Sequence, residues 1–324
     1  MNTSQEYFLL VAQELNISHA AQKLSISQQG LSSHIRRLEE FYGVRLFQRT
    51  PRLRLTAAGE KLVRALNRIK LFENSLKAEL AQDSGAGSGV VRFGLHPSRA
   101  FLLAPLVLPP YRKLYPGVRI DIENGTTRQF ERRLLSGEID CFIGVNPVNY
   151  SQFQILPLAE EQFYAVMSED LFRASTGGAH SVCEFAEGLP LEQMALFPFI
   201  ATSSYSSMGV YDAEWFSQVP RARIAASTSL ISVIFDLIRA DYAAGVLSTL
   251  HLYRFIHQCR NEKKRYHFFP IAPFTQKNRL YVVHHRDSPL PSYLKALFEI
   301  VHERIRQFMR DGERELASYR TTEH

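Results

Sequence analysis

One change of period divides this chain. Up to residue 82 the apolar residues recur at spacings of three and four, as in helices, and beyond residue 89 strand-like runs alternate with helical ones. Between them runs Asp83-Ser84-Gly85-Ala86-Gly87-Ser88-Gly89, a small, flexible stretch that reads as a hinge. Its G-x-G spacing does not suit a dinucleotide fingerprint, which follows a strand and opens a helix, whereas this run precedes a strand. At 324 residues the chain exceeds one ordinary domain, and this is where it divides.

Before the hinge, Phe8, Val11, Ala12 and Leu15 mark one face of a first helix. Ser18 is the expected cap of a short second helix burying Ala20, Ala21 and Leu24, and Ser27 caps a third, buried through Leu31, Ile35 and Leu38. Gly43 ends that helix. Arg45 to Leu55 reads as a basic hairpin turning near Pro51. Thr56 then caps a helix from Ala57 to about Leu80, about 36 Å long. Its stripe of Leu62, Leu66, Ile69, Phe72, Leu76 and Leu80 has no evident partner within so small a unit, which predicts pairing with a second copy.

After the hinge, strands are expected at Val90 to Leu95, Val118 to Ile122, Ile139 to Val145, Phe199 to Thr202, Arg223 to Ala226, Gly245 to Ser248 and Arg279 to His284. Helices fall between most of them, one starting near Ser98, one from about Thr127 to Ser136, and a last from about Ser292 to Met309. The alternation predicts α/β units with mostly parallel sheets in two subdomains. Pro109-Pro110 should kink or break the helix that starts near Ser98.

Charge follows the same division. Residues 1 to 82 carry twelve Lys and Arg against seven Asp and Glu, and the rest of the chain 26 against 25. A basic segment ahead of a neutral body suits one part that meets phosphate and one that does not. No stretch approaches the ~18 apolar residues of a membrane span. Met1 to Glu6 lacks the layout of a signal peptide, so a cytoplasmic protein without membrane contact is expected. Cys141, Cys183 and Cys259 are too dispersed for a disulfide framework or a metal cluster, and Cys141 is expected in the core. His284-His285 lacks metal-ligand spacing, and no catalytic pattern stands out, so no cofactor, metal or enzyme activity is expected.

Three short helices with a tight turn between the second and third form a helix-turn-helix. With Leu31, Ile35 and Leu38 turned inward, Gln28, Gln29, Ser32, Ser33 and Arg36 must face out, a short polar surface suited to base edges, with Ser27 at the helix start. Arg49, Arg52 and Arg54 of the hairpin would neutralise flanking phosphates or enter the minor groove. The blander alternative is an α/β binding protein for a small molecule, with the N-terminal domain serving assembly alone.

The segments AAQKLSISQQGLSSHIRRLEEFYGVRLFQRT, from Ala20 to Thr50, and LTAAGE, from Leu55 to Glu60, resemble the winged helix-turn-helix of the LysR-type transcriptional regulators. YPGV at Tyr115, LLSGEID at Leu134 and AAGVLS at Ala243 extend the resemblance more loosely. It implies an α/β chain with an all-α winged head at 1–60, a dimerising linker helix at 57–82 and a hinge at 83–89. A sensor like a periplasmic binding protein would follow at 90–310, with one subdomain at about 90–160 plus 269–310 and the other at about 161–268. Residues 311–324 would be a tail. The partners it implies are a double-stranded DNA operator, a small polar or anionic effector, a second copy or three more, and RNA polymerase if the protein activates. Where the family has Ser-Gln-Pro-Ala-Leu-Ser-Arg, this chain has Ser27-Gln28-Gln29-Gly30-Leu31-Ser32-Ser33, which implies an unusual operator. Turns resembling the family's effector contacts place Ser98, Thr126, Thr127, Ser203, Ser204 and Thr228 along the cleft, with His96 and Arg99 as sources of positive charge.

Overall fold

The computed structural model describes residues 1–48, 50, 52–83, 89–202, 215–219, 221–272, 278–288 and 290–321. Hinge residues 84–88 lie outside them.

The head comprises α1 (Thr3–Glu14), α2 (Ile17–Lys23) and α3 (Gln28–Tyr42), closed by the antiparallel pair β1 (Phe47–Gln48) and β2 (Arg54–Leu55). Phe8, Val11, Ala20, Ala21, Leu31, Ile35 and Leu38 are buried together with Leu46 and Phe47 of the hairpin. Leu15 departs from expectation: it ends α1 in the left-handed region (φ 47°) and is exposed. Asn16, rather than Ser18, caps α2, because its side chain accepts the His19 N–H at 3.1 Å while Ser18 is already within the helix. Ser27 caps α3 by accepting the Gly30 N–H at 3.1 Å, and Gly43 ends it at φ 66°. In the turn between α2 and α3, Ser25 takes φ 54° and the Ile26 N–H returns to the Ala21 carbonyl. This is a left-handed helix stop with Ser where Gly is usual.

The long helix α4 (Ala57–Asp83) starts at Thr56, whose hydroxyl oxygen accepts the Gly59 N–H at 3.0 Å. Its apolar stripe divides in two. Leu62 and Leu66 pack into the head core, Leu66 with no exposure, so they are not part of a free seam. Ile69, Phe72 and Leu76 are 43, 59 and 42% exposed, and the Leu80 side chain lies outside what is described.

Two α/β lobes follow. The first has strand order β4-β3-β5-β13-β6, built from β3 (Gly89–Leu95), β4 (Val118–Asn124), β5 (Cys141–Val145), β6 (Phe153–Glu161) and β13 (Asn278–His285). The second has order β10-β9-β11-β7-β12-β8, from β7 (Phe163–Ser168), β8 (Leu189–Pro190), β9 (Pro198–Thr202), β10 (Arg223–Thr228), β11 (Ala244–Ser248) and β12 (Tyr266–Ala272). Both sheets are mixed rather than mostly parallel. Strands β4, β3 and β5 run parallel while β13 opposes β5 and β6; β10, β9 and β11 run parallel while β7 opposes β11 and β12. The antiparallel members arise because the chain crosses between lobes twice, from β6 into β7 and from β12 back to β13. Strand β12 pairs with β7 and β8, so the second lobe extends to Ala272 rather than ending at 268.

The helices of the described residues include α5 (Pro97–Leu114), α6 (Thr127–Leu135), α7 (Glu169–Thr176), α8 (Ile231–Arg239), α9 (Thr249–Cys259) and α10 (Ser292–Thr321). Two expectations are revised here. Of the kink or break expected at Pro109-Pro110 there is no break, since α5 continues to Leu114 while Leu102, Leu103, Val107 and Tyr111 stay buried on one face. That burial outweighs the hydrogen bonds two prolines remove. Nor do residues 311–321 form a tail, since α10 runs on to Thr321.

Gly59 shows how tightly α4 sits on the hairpin: a Cβ there would lie 2.2 Å from the Leu46 carbonyl oxygen. Gly59→Ala is expected to cost the head about 1–3 kcal/mol, read as a lowered Tm; an unchanged Tm would mean that this seat is not needed.

Candidate functional site

On the head, Gln28, Gln29, Ser33 and Arg36 are exposed along α3 and Ser32 is half-buried, while Leu31, Ile35 and Leu38 are buried. The Gln28 and Gln29 amides lie in the first turn, ahead of the intrahelical ladder, as an anion-binding helix start requires. Arg52 and Arg54 are exposed on the hairpin, and Arg49 lies outside the described residues.

Two contacts that the sequence does not announce hold this surface in place. The Ser18 hydroxyl donates to Gln28 Oε1 at 3.1 Å, tying the start of α2 to the first side chain of α3. Glu39, buried near the end of α3, accepts the Leu46 and Phe47 N–H groups at 2.8 and 3.3 Å. The hairpin is therefore bonded to the helix that presents the polar face. Spacing alone does not set Glu39 apart from the neighbouring charge in Leu38-Glu39-Glu40.

In the body, the C-terminal edges of the two parallel triads meet. His96 follows β3 and caps α5, Thr126 follows β4 and caps α6, and Ser248 ends β11. The edges are joined by His251, whose Nδ1 lies 2.9 Å from Ser248 Oγ and whose Nε2 lies 3.2 Å from the Ser98 carbonyl. At this junction Glu161, 1% exposed, accepts from Arg99 Nη1 at 2.9 Å and from Nη2 at its second oxygen. It also accepts the Ser248 hydroxyl at 2.8 Å, the Leu250 N–H at 3.2 Å and Asn278 Nδ2 at 3.0 Å. Burial alone would push the Glu161 carboxyl up, but Arg99 and the donors around it hold it below the usual carboxylate range.

Arg99 and His96 are thus not the sources of positive charge expected from the sequence. The Arg99 guanidinium is buried and bidentate on Glu161. Burial, with Arg99 nearby, lowers His96 to about 4, so the ring is neutral at pH 7. Burial and Arg99 lower His251 to about 3. A neutral His251 has one N–H; if Nε2–H donates to Ser98, the Ser248 proton is shared between Nδ1 and Glu161.

The hydroxyls expected along the cleft are half-buried and locally bonded. Ser98 Oγ lies 2.9 Å from His96 Nδ1, and Thr126 accepts the Gln129 N–H at 3.3 Å. Thr127 accepts from Val145 N at 3.1 Å, and Thr228 from Leu230 N at 3.2 Å. Thr126, Thr127 and Thr228 each keep a hydroxyl proton to offer, whereas the Ser98 hydroxyl donates to His96 Nδ1, which also accepts the Ser98 N–H. Ser203 and Ser204 lie outside the described residues. Cys141 and Cys259 are buried and Cys183 is exposed. Among the described residues no His, Cys, Asp or Glu cluster could hold a metal, and no helix is long and apolar enough to cross a membrane.

Two family models match. Residues 3–60 match the bacterial regulatory helix-turn-helix protein, lysR family, and residues 84–306 match the LysR substrate binding domain. The chain belongs to the LysR family. It is similar to the HTH-type transcriptional regulator AlsR of Bacillus subtilis, at 35% identity over 46% of this chain and 50% of that protein. Such alignments span about half the length of the curated relatives the chain matches. Full-length LysG of Corynebacterium glutamicum, solved with bound effector Arg, shares the fold with a TM-score of 0.62 at 17% identity, covering 95% of this chain and 99% of LysG. CbnR solved with its target DNA superposes with a TM-score of 0.51 at 19% identity, covering 94% of this chain and all of CbnR.

Glu161→Gln leaves Arg99 buried without its counter-charge, and a loss of about 3–5 kcal/mol is expected. Acid should also destabilise the body. His96 and His251 bind protons in the unfolded chain below about pH 6.5 but in the fold only near 4 and 3. Their contribution is complete above pH 6.5 and falls away as pH drops toward 4; that of Glu161, with its lowered pKa, is complete above about pH 4.3 and lost below it. A Tm measured from pH 8 to 4 should fall with acid, and less steeply in His251→Asn. An equal slope in both proteins would contradict the assignment.

Proposed function

We propose that this chain is a sequence-specific DNA-binding transcriptional regulator that acts in the cytoplasm under the control of a small effector. The observation that carries this reading is the head. A Ser27-capped helix presents Gln28, Gln29, Ser33 and Arg36 beside a hairpin bearing Arg52 and Arg54, in a chain of the LysR family. Gln28 and Gln29 read base edges, Ser27, Ser32, Ser33 and Arg36 hold the helix in the major groove, and Arg49, Arg52 and Arg54 clamp flanking phosphate. Ile69, Phe72 and Leu76 supply the seam for a second copy, so that two heads meet two half-sites; a dimer of such dimers and contact with RNA polymerase extend the same reading.

The effector lies between the facing strand ends, held by Ser98, Thr126, Thr127 and Thr228, with Ser203 and Ser204 completing the cleft. With Arg99 spent on Glu161 and His96 neutral, hydroxyl and amide donors carry recognition at the described positions, which suits a small polar molecule.

Two substitutions separate clamp from reader. Arg52→Ala or Arg54→Ala should weaken binding to every DNA sequence and reduce the salt slope by about one. An unchanged slope would remove the hairpin from the interface. Ser18→Ala frees the Gln28 amide, so it should relax base preference at one half-site position and leave the salt slope intact. Uniform weakening on specific and random DNA would refute that role.

A further inference from the structure

The C-terminal helix belongs to both lobes of the sensor. Tyr293, Leu297, Val301 and Ile305 are buried in the core of the first lobe, against α5 and β13. Phe308 and Met309 pack against that core and also against the core of the second lobe. Beyond them the helix continues over α9. Gly312 lies so close to Tyr253 that a Cβ would stand 2.1 Å from a ring carbon. Leu316 is buried in the second lobe's core, and Tyr319 meets Phe268 edge-on with ring centroids 5.4 Å apart. Glu315 adds an outer contact, 3.7 Å from His257 Nδ1 and 4.0 Å from Arg260 Nη1.

Covalently, the lobes are joined by two crossovers, a connection that permits hinge motion. One continuous helix lying across both is a third connection, and a helix is stiff along its axis. Gly312 to Tyr319 must slide over α9 or leave it before the second lobe can turn against the first. A smaller suture lies alongside, where Phe101 of α5 meets Phe235 of α8 at 6.0 Å and the Arg254 guanidinium of α9 lies 5.8 Å from the same ring.

We infer that the last turns of this helix, from Gly312 to Tyr319, are a strap that sets the resting angle between the two sensor lobes. A change of lobe orientation then proceeds by displacement of this segment on α9, and the helix fixes how far the lobes turn. The consequence for regulation rests on the effector-sensor reading above. The strap itself does not, and its test needs neither effector nor DNA.

The test is the distance between spin labels in the full chain on a Cys183→Ser background, with Cys141 and Cys259 buried and unlabelled. Arg119→Cys in the first lobe and Glu187→Cys in the second report the angle, and both sites are exposed. Arg119→Cys with Gln154→Cys reports the first lobe alone. Labelled chains are diluted with unlabelled ones so that only intrachain distances are read. Removal of 311–324 and, separately, the wedge Gly312→Val should each shift or broaden the inter-lobe distribution, leaving the within-lobe distance and the emission of Trp215 unchanged. Glu313→Ala, exposed on the same turn, should change nothing. An inter-lobe distribution unmoved by both variants would overturn the strap. So would loss of the within-lobe distance as well, because the segment would then hold the first lobe together rather than join the two. Failure of DNA binding would bear on the regulator reading alone.

Discussion

The body of this protein is organised around one buried carboxylate. Glu161 stands at the first crossing between lobes, and its donors come from α5, from the β11–α9 turn and from the start of β13, where the chain returns. Each alone would leave a buried charge or an unbonded polar group, which costs more than any single hydrogen bond returns. Together they fix where the two sheets face one another and hence where a ligand can enter. The same pairing removes Arg99 from the list of groups free to meet that ligand. The charge at the base of the cleft is thereby balanced within the protein, which is the basis for proposing that polar groups along the rim carry recognition.

The head repeats the device on a smaller scale. Glu39 binds the backbone of the hairpin to the end of α3, and Thr56 binds the hairpin to α4. The polar face of α3, the hairpin and the start of α4 are therefore bonded to one another. That is what a paired reader needs if a change at its linker helices is to alter the spacing of its heads. The exposed Ile69, Phe72 and Leu76 lie beyond the head core on α4, whereas Leu62 and Leu66 are inside it.

Much of this was legible in the sequence. Helical spacing found α1, α3 and α4, the Ser27 cap and the Gly43 stop, and the motifs from Ala20 to Glu60 identified the head. The parts that were not legible share a physical cause: they depend on residues far apart in the chain. Glu161 is indistinguishable from Glu160 until Arg99 and Asn278 are brought to it. Strands β6, β7 and β12 escaped because Pro157 and Pro270 interrupt their runs and Phe163 to Met167 are buried on both faces, which removes the alternation that marks a strand. By sequence the final helix reads as ending near Met309 because its last turns look polar; the few apolar residues there, Leu316 and Tyr319, find their partners on the second lobe. Local propensity does not report such a partner.

What remains to be measured is whether a pair of these heads reads a specific operator. The most direct test is selection of DNA from a random pool by the full-length protein, with binding to the selected site then followed against salt. Paired heads should enrich an interrupted inverted repeat, bound far more tightly than random DNA, with a steep negative salt slope from phosphate contacts. A pool that remains random after repeated rounds, or a selected site without two related halves, would contradict that reading.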